Sequence, residues 1–124
     1  MKLTILGSSA STPKINKHTT AQYLKIKNHH ILIDCGEGIQ MQLRKLKISF
    51  SKINHIFISH LHGDHYFGLI GLISTFRLLG RKNDLNIYAP KGLQELIHMQ
   101  LKLSCSWLTY KIVFHTLDSK DQEV

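Results

Sequence analysis

The chain has 124 residues, 43% of them hydrophobic, and a formal net charge of +8 at pH 7. This length supports one hydrophobic core and excludes two domains of ordinary size. No apolar run reaches the roughly 18 residues of a membrane helix and no signal-peptide pattern is present, so we expect a cytoplasmic protein without a membrane partner.

The excess of positive charge lies in residues 1–117, which carry 15 Lys and Arg against 5 Asp and Glu, whereas residues 118–124 hold one lysine and three acids. Such a surplus favours polyanionic partners, because each neutralised phosphate releases counterions. Charge alone does not separate RNA from DNA or from a merely solubilising surface.

The apolar patterns alternate between strand type and helix type, which predicts a layered α/β structure. Three strands open the chain as an antiparallel sheet, and a helix with a basic outer side follows them from Ile39. The segment "INHIFIS" then predicts a central strand, and a mostly apolar helix comes after it. The predicted elements, in order, are "KLTILG", "AQYLKIK", "HILIDCG", the helix from Ile39, "INHIFIS", "YFGLIGLISTFRLLG", "LNIY", "KGLQELIHMQLKL" and "YKIVFH".

The segment "HLHGDH" begins where the predicted central strand ends. His60 and His62 project to one side of an extended backbone, and Gly63 permits a turn that brings Asp64 and His65 alongside. Imidazole nitrogen with carboxylate oxygen is the donor set of hydrolytic zinc sites. A hydrogen-bonded polar turn is the alternative, but three histidines and an aspartate would be costly to bury without a partner. We therefore interpret these four residues as metal ligands.

Asp34 lies at the end of the third predicted strand, just before Cys35 and Gly36. Its carboxylate could accept a hydrogen bond from a ligating histidine and fix the orientation of that ring. An Asx turn or a cap is an equally good interpretation of the same residue.

The H-x-H-x-D-H motif resembles that of the metallo-β-lactamase superfamily. The flanking segments "LTILGSSASTP", "ILIDCGEGIQMQL", "IFISHLHGDHYFGLIGL" and "LNIYAPKGL" resemble, in order and spacing, the ribonuclease Z family. The resemblance implies an αββα sandwich of which this chain is the N-terminal half: a mixed, largely antiparallel sheet with helices on one face. On this interpretation residues 1–117 form the half-domain, and residues 118–124 form a charged tail at which the chain is truncated.

The resemblance also implies a zinc-dependent endoribonuclease that removes 3′ trailers from precursor tRNA, hydrolysing a phosphodiester with a metal-bridged hydroxide. Carried over by motif, His60 and His62 are ligands of one zinc, while Asp64 and His65 are ligands of the other. Asp64 is also the catalytic residue that orients or deprotonates the attacking water. Manganese or another divalent metal is an alternative to zinc, and DNA is not an expected partner.

Four ligands are fewer than the six or seven donors that two adjacent zinc ions share. We therefore expect the 124-residue chain to be an incomplete and inactive portion of the enzyme, and to form a homodimer through an uncovered sheet face. Two other functions stay open. One is another hydrolase of the same fold, acting on a thioester, lactone or sulfate ester. The other is a non-catalytic metal-binding or interaction module.

Overall fold

The computed structural model describes residues 1–8, 12 and 19–117, so the predicted tail over 118–124 lies outside the described residues. Strands and helices alternate along the described part. The strands are β1 (Lys2–Gly7), β2 (Ala21–Ile26), β3 (His29–Ile33), β4 (Ile53–Phe57), β5 (Leu85–Pro90) and β6 (Ile112–Leu117). The helices are α1 (Ile39–Lys45), α2 (Gly63–Tyr66), α3 (Leu69–Leu78) and α4 (Leu93–Leu103), with a 3-10 turn over Phe50–Lys52.

The six described strands form one mixed sheet in the order β1-β2-β3-β4-β5-β6. The first three strands pair antiparallel, as predicted. The pairs β3–β4, β4–β5 and β5–β6 are parallel, so the expectation of a largely antiparallel sheet is wrong for the described strands. The physical reason is that a helix follows β3, β4 and β5 in turn, and a crossover helix returns the chain to start the next strand in the same direction.

The described helices pack against one face of the sheet, which was the prediction. Their apolar residues and alternate strand residues share one buried core. The strand positions on this face include Leu32, Ile56 and Ile87, each 0% exposed. Phe76 of α3 lies between the rings of Phe50 and Tyr110, edge-on to both. The helix layer therefore fixes β4, the strand from which the "HLHGDH" segment emerges.

The long apolar helix predicted after β4 is two helices, α2 and α3, separated at Phe67 and Gly68. The Gly68 N–H donates to the Cys35 carbonyl. A Cβ on Gly68 would lie 2.2 Å from the Gly36 carbonyl oxygen, so only glycine fits where this break meets the loop after β3. The break is thus imposed by contact with residues 32 and 33 positions earlier in the sequence, which helical periodicity does not report.

The opposite face of the sheet, here called the open face, has no helix against it within the described residues. Its side chains include Leu24, Ile31, Ile33, Phe57 and Leu117, which line one shallow apolar concavity and are only half-buried. None of the described helices is long and apolar enough to cross a membrane.

Candidate metal centre

The "HLHGDH" segment lies at the edge of the sheet where β4 ends and α2 begins. β4 ends at Phe57, and His62 still has extended backbone, with φ −77° and ψ 143°, directly before α2. Asp64 and His65 belong to the first turn of α2. The local sequence explains the corner: β-branched residues favour the strand up to Ile58, and Gly63 lets the chain turn into the helix.

The structure brings the four predicted ligands near one another, although not into a closed cluster. The ring centroid of His60 lies 5.0 Å from that of His65 and 6.1 Å from that of His62. His65 Nε2 lies 3.6 Å from Asp64 Oδ2, which is beyond hydrogen-bonding distance. His60 and His62 are exposed, whereas Asp64 and His65 are half-buried.

Asp34 lies behind this group, and its side chain is only 6% exposed. Its Oδ2 is 2.9 Å from His65 Nδ1, and its Oδ1 accepts from the Ser59 N–H at 2.8 Å. A carboxylate only accepts hydrogen bonds, so the proton of His65 must be on Nδ1, and Nε2 keeps its lone pair. Asp34 has a positive φ of 61°, a conformation that Asp and Asn tolerate better than most residues. The carboxylate thus has the contact expected of a residue that orients a ligating histidine.

Ser59 is a part of the site that the sequence interpretation missed. Its hydroxyl lies 2.8 Å from Asp34 Oδ2 and 3.0 Å from His60 Nδ1. Since the hydroxyl has one proton and donates it to Asp34, its contact with His60 requires Nδ1–H of that ring as the donor. His60 therefore also presents an unprotonated Nε2. A small hydroxyl residue between an apolar strand and H-x-H is the signal that could have indicated this role.

A backbone hydrogen bond joins the loop after β3 to α2. The Cys35 N–H donates to the His65 carbonyl at 2.7 Å. A Cβ on Gly36 would lie 2.0 Å from Thr19 Oγ1 and 2.8 Å from the Asp64 carbonyl oxygen, so this position has no room for a side chain. Cys35 is fully buried, and burial followed by the charge of Asp34 raises the pKa of its thiol. Cys35 belongs to the hydrophobic core, so its side chain serves packing.

Among the described residues, no group of three or more His, Cys, Asp and Glu side chains is arranged to hold a metal ion by itself. The donors nevertheless fit zinc in kind. His60 and His65 both carry their protons on Nδ1, which leaves Nε2 for coordination, and a carboxylate lies beside them. A complete centre needs further donors in addition to these.

Comparisons with known proteins identify relatives that share almost the whole chain. The family model of the anti-Pycsar protein Apyc1 matches residues 1–119. Ribonuclease Z of Bacteroides fragilis is 51% identical over 123 residues, which are 99% of this chain and 40% of that enzyme. Ribonuclease Z of Bacteroides thetaiotaomicron is 52% identical over 97% of this chain and 38% of its own length. The chain thus spans about two-fifths of the length of these relatives.

The fold matches solved structures at similar coverage. The crystal structure of human tRNase Z, short form, superimposes with a TM-score of 0.87 at 37% identity, over 97% of this chain and 48% of that one. The metallo-β-lactamase-fold protein YhfI from Bacillus subtilis superimposes with a TM-score of 0.69 at 22% identity, over 92% of this chain and 45% of that one, and so shows the fold alone. The described sheet and helices are therefore part of a metallo-β-lactamase fold.

Proposed function

Because the chain belongs to the family described as anti-Pycsar protein Apyc1, and relatives that match nearly all of it are ribonuclease Z enzymes, we propose that it carries one half of the active site of a tRNA 3′ endonuclease. The reaction is hydrolysis of the phosphodiester bond between a precursor tRNA and its 3′ trailer. The substrate class rests on the ribonuclease Z relatives, and the chemistry rests on the "HLHGDH" segment.

The observation that carries the proposal is the hydrogen-bond network from Asp34 to His65 and, through Ser59, to His60. Two histidines with the same tautomer, both presenting Nε2 beside Asp64, have no evident use in a merely structural turn. The network supports His60 and His65 as ligands of a divalent metal, and the spacing of the motif adds His62 and Asp64. We propose that the metal is zinc, with manganese as the alternative.

Six residues of the chain have a definable part in the proposed reaction. His60 and His62 would hold one ion, and Asp64 and His65 a second. Asp34 and Ser59 keep the histidine protons away from the coordinating nitrogens. Zinc held there would act as a Lewis acid on a phosphate oxygen and help to activate water. Asp64, half-buried at the start of α2, would accept a proton from that water or orient it.

The described donors are fewer than two zinc ions share, so we propose that the 124-residue chain alone has little or no nuclease activity. Ligands from a second polypeptide segment would have to meet the same edge of the sheet. The uncovered apolar side chains of the open face are a suitable surface for such a segment. The same surface supports the expected homodimer of the isolated chain, and a cytoplasmic location would suit a tRNA substrate.

The experiment that tests the function is a chimaera in which this chain replaces the matching 123 residues of the Bacteroides fragilis enzyme. A precursor tRNA labelled at its 5′ end reports cleavage at the trailer junction. We expect cleavage by the chimaera, its loss by 100-fold or more with His62→Ala, and little change with His98→Ala, an exposed histidine on α4 outside the motif. A folded, zinc-loaded chimaera that leaves the trailer intact would refute the proposal.

A second candidate is another hydrolase on the same fold, since the fold alone does not select a substrate. Its discriminating substrates are small thioesters, lactones and sulfate esters. Turnover of one of these by the chimaera, without trailer cleavage, would favour the second candidate. Zinc binding without turnover of any substrate would favour a non-catalytic metal-binding module.

The homodimer has a separate test, which is sedimentation of the isolated chain at micromolar concentrations. Ile31→Lys puts a charge in the centre of the open face, and Met99→Lys puts the same charge on an exposed position of α4. We expect only the first variant to weaken association. A chain that is monomeric throughout the concentration range would contradict this part of the proposal.

A further inference from the structure

A polar concavity lies at the edge of the sheet opposite the candidate metal centre. It is about 450 Å³ in volume and is formed by the β2–β3 hairpin, the 3-10 turn before β4 and the residues just before β5. Its lining residues, here called the basic depression, are Lys25, Lys27, Asn28, His30, Ser51, Lys52, Asn54 and Asn83. Lys52 and His60 are eight positions apart in the sequence, with β4 between them, so the two sites are at most about 26 Å apart along an extended strand.

The composition of the basic depression matches an anion rather than a cation. Three of its eight lining residues are lysines, four carry an amide or hydroxyl group, and none is Asp or Glu. Lys25 and Lys52 both act on His30, because burial first and then these two positive charges lower the pKa of that imidazole. Positive charge is therefore concentrated on one small area, which a scattered set of solvated lysines would avoid.

Arg81 adds a positive charge behind the floor of the basic depression. It is buried, and its described hydrogen bonds go to the carbonyls of Ile53, Asn83 and Asp84 and to Asn54 Oδ1. All four acceptors are neutral oxygens, so the guanidinium charge is not neutralised by a direct ion pair in these bonds. The Asp84 carboxylate also acts on this guanidinium from nearby and compensates its charge only in part, and a remaining positive charge below the surface favours an anion above it.

Hydrogen bonds to buried partners determine which polar atoms of the basic depression remain available to a ligand. Arginine has only donors, so Asn54 must give it the amide oxygen, and the NH₂ group of Asn54 is the end available to a ligand. Tyr23 hydrogen-bonds to His30 Nδ1, and burial raises the pKa of the tyrosine hydroxyl, which therefore stays protonated and donates. His30 then carries its own proton on Nε2. Both residues thus offer N–H donors whose orientation is fixed by buried partners.

Lysine ammonium groups, oriented amide N–H groups and an imidazole N–H together are the donor set that binds phosphate oxygens. We propose that the basic depression binds a phosphate group, and that it does so separately from the metal centre. The source of the phosphate is either the backbone of an RNA or a free phosphate compound. The inference does not depend on the proposed nuclease function, because it uses none of the residues of that site.

The test is a titration of the isotope-labelled 124-residue chain with inorganic phosphate, followed by nuclear magnetic resonance, with chloride at equal ionic strength as the blank. We expect saturable shifts of the His30 ring and Asn54 amide signals. Lys25→Ala with Lys52→Ala should weaken binding at least tenfold. Lys45→Ala with Lys47→Ala removes the same charge from exposed positions at the end of α1 and just after it, and should change binding less than twofold. Equal losses in both double variants would overturn the proposal, as would the absence of saturable shifts.

A second test uses a variant that should keep the fold and change only the Asn54 atoms that face the ligand. Asn54→Asp retains the oxygen that Arg81 needs and replaces the available NH₂ group with a negatively charged oxygen. We expect unchanged or higher stability and at least a tenfold loss of phosphate binding. Phosphate binding that survives this change would overturn the proposal, because a carboxylate on the floor should repel the ligand.

An RNA oligonucleotide distinguishes the two sources. If RNA is the source, Lys25→Ala with Lys52→Ala should lower RNA affinity. The same double variant should reduce the slope of log affinity against log salt by about two, since each phosphate-contacting lysine contributes about one. If phosphate binding falls and RNA binding is unchanged, a free phosphate compound is the ligand. Either result supports the phosphate site and identifies its source.

Discussion

Replacing Asp34 by asparagine should change the tautomer of His65 with little change in shape. In the native chain the carboxylate accepts from His65 Nδ1 at 2.9 Å and from Ser59 through both the backbone N–H and the hydroxyl. Asparagine keeps the oxygen that faces the Ser59 N–H, but an NH₂ group then faces His65. That group can only donate, so His65 must accept with Nδ1 and carry its proton on Nε2.

The energetic size of the change follows from the contacts that are lost. Asp34→Asn removes the charge-assisted hydrogen bond from His65 Nδ1, which contributes roughly 1.5–3 kcal/mol in this nearly buried position. A weaker bond is formed in its place, and the bonds from Ser59 then go to a neutral oxygen. We expect the free energy of unfolding to fall by about 2 kcal/mol. A misoriented ligand typically lowers metal affinity by about 10- to 100-fold, so zinc affinity of the chain or of the chimaera should fall in that range.

Two measurements check this prediction. Denaturant unfolding gives the stability change, and nitrogen chemical shifts of the imidazole rings identify the protonated nitrogen of His65. Glu95→Gln is the matched control, since it removes the same charge from an exposed position in the first turn of α4, where a loss below about 1 kcal/mol is expected. Asp34→Asn with unchanged stability and the native tautomer would refute the assigned role of Asp34.

Three further predictions concern the packing, the pH dependence and the metal. Gly36→Ala should lower the free energy of unfolding by about 1–3 kcal/mol, because its Cβ would lie 2.8 Å from the Asp64 carbonyl oxygen. In Gly71→Ala the new Cβ meets only the flexible end of a glutamine, so the free energy of unfolding should change by less than about 1 kcal/mol. Denaturant unfolding of the two variants measures the difference. The pKa of His55 is lowered by burial first and by neighbouring imidazoles second, so the unfolded chain binds protons more readily. The free energy of unfolding should thus fall as pH decreases through about 6.5, less steeply in His55→Gln. Zinc should raise the melting temperature of the native chain, and a chelator should reverse that rise; a melting temperature independent of zinc would contradict metal binding.

The order and type of most described elements could be predicted from the sequence, because each has a clear apolar period. β1, β2 and α4 lie within one or two residues of the segments that predicted them. The antiparallel pairing of β1 to β3 was predicted, whereas the parallel pairing of β3 to β6 was missed, although it follows from the crossover helices between those strands. The break between α2 and α3 depends on a carbonyl of the loop after β3, a contact between segments that no local pattern reports.

The donor residues of the candidate site could be predicted from the sequence, but the hydrogen bonds that orient their side chains could not. His60, His62, Asp64 and His65 follow from spacing alone, and their metal ligation stays a prediction. Ser59 was missed because a serine beside a strand has many uses, and only the distances to Asp34 and His60 distinguish this one. Arg81 was missed for a similar reason, since its buried position and its neutral partners depend on three separate segments of the chain.

The described residues also indicate an order of assembly for the metal centre. The contacts that fix the tautomers of His60 and His65 lie within β3, β4 and the segments just after them, and they form with the core of the sheet. The orientation of these two histidines therefore does not require the further ligands that a complete centre needs. A pre-oriented pair loses less conformational freedom when metal binds, so the remaining ligands would complete a partly ordered site. The tautomers should accordingly be the same in the isolated zinc-free chain and in the chimaera, and different ring shifts in the two would show that the second half imposes them.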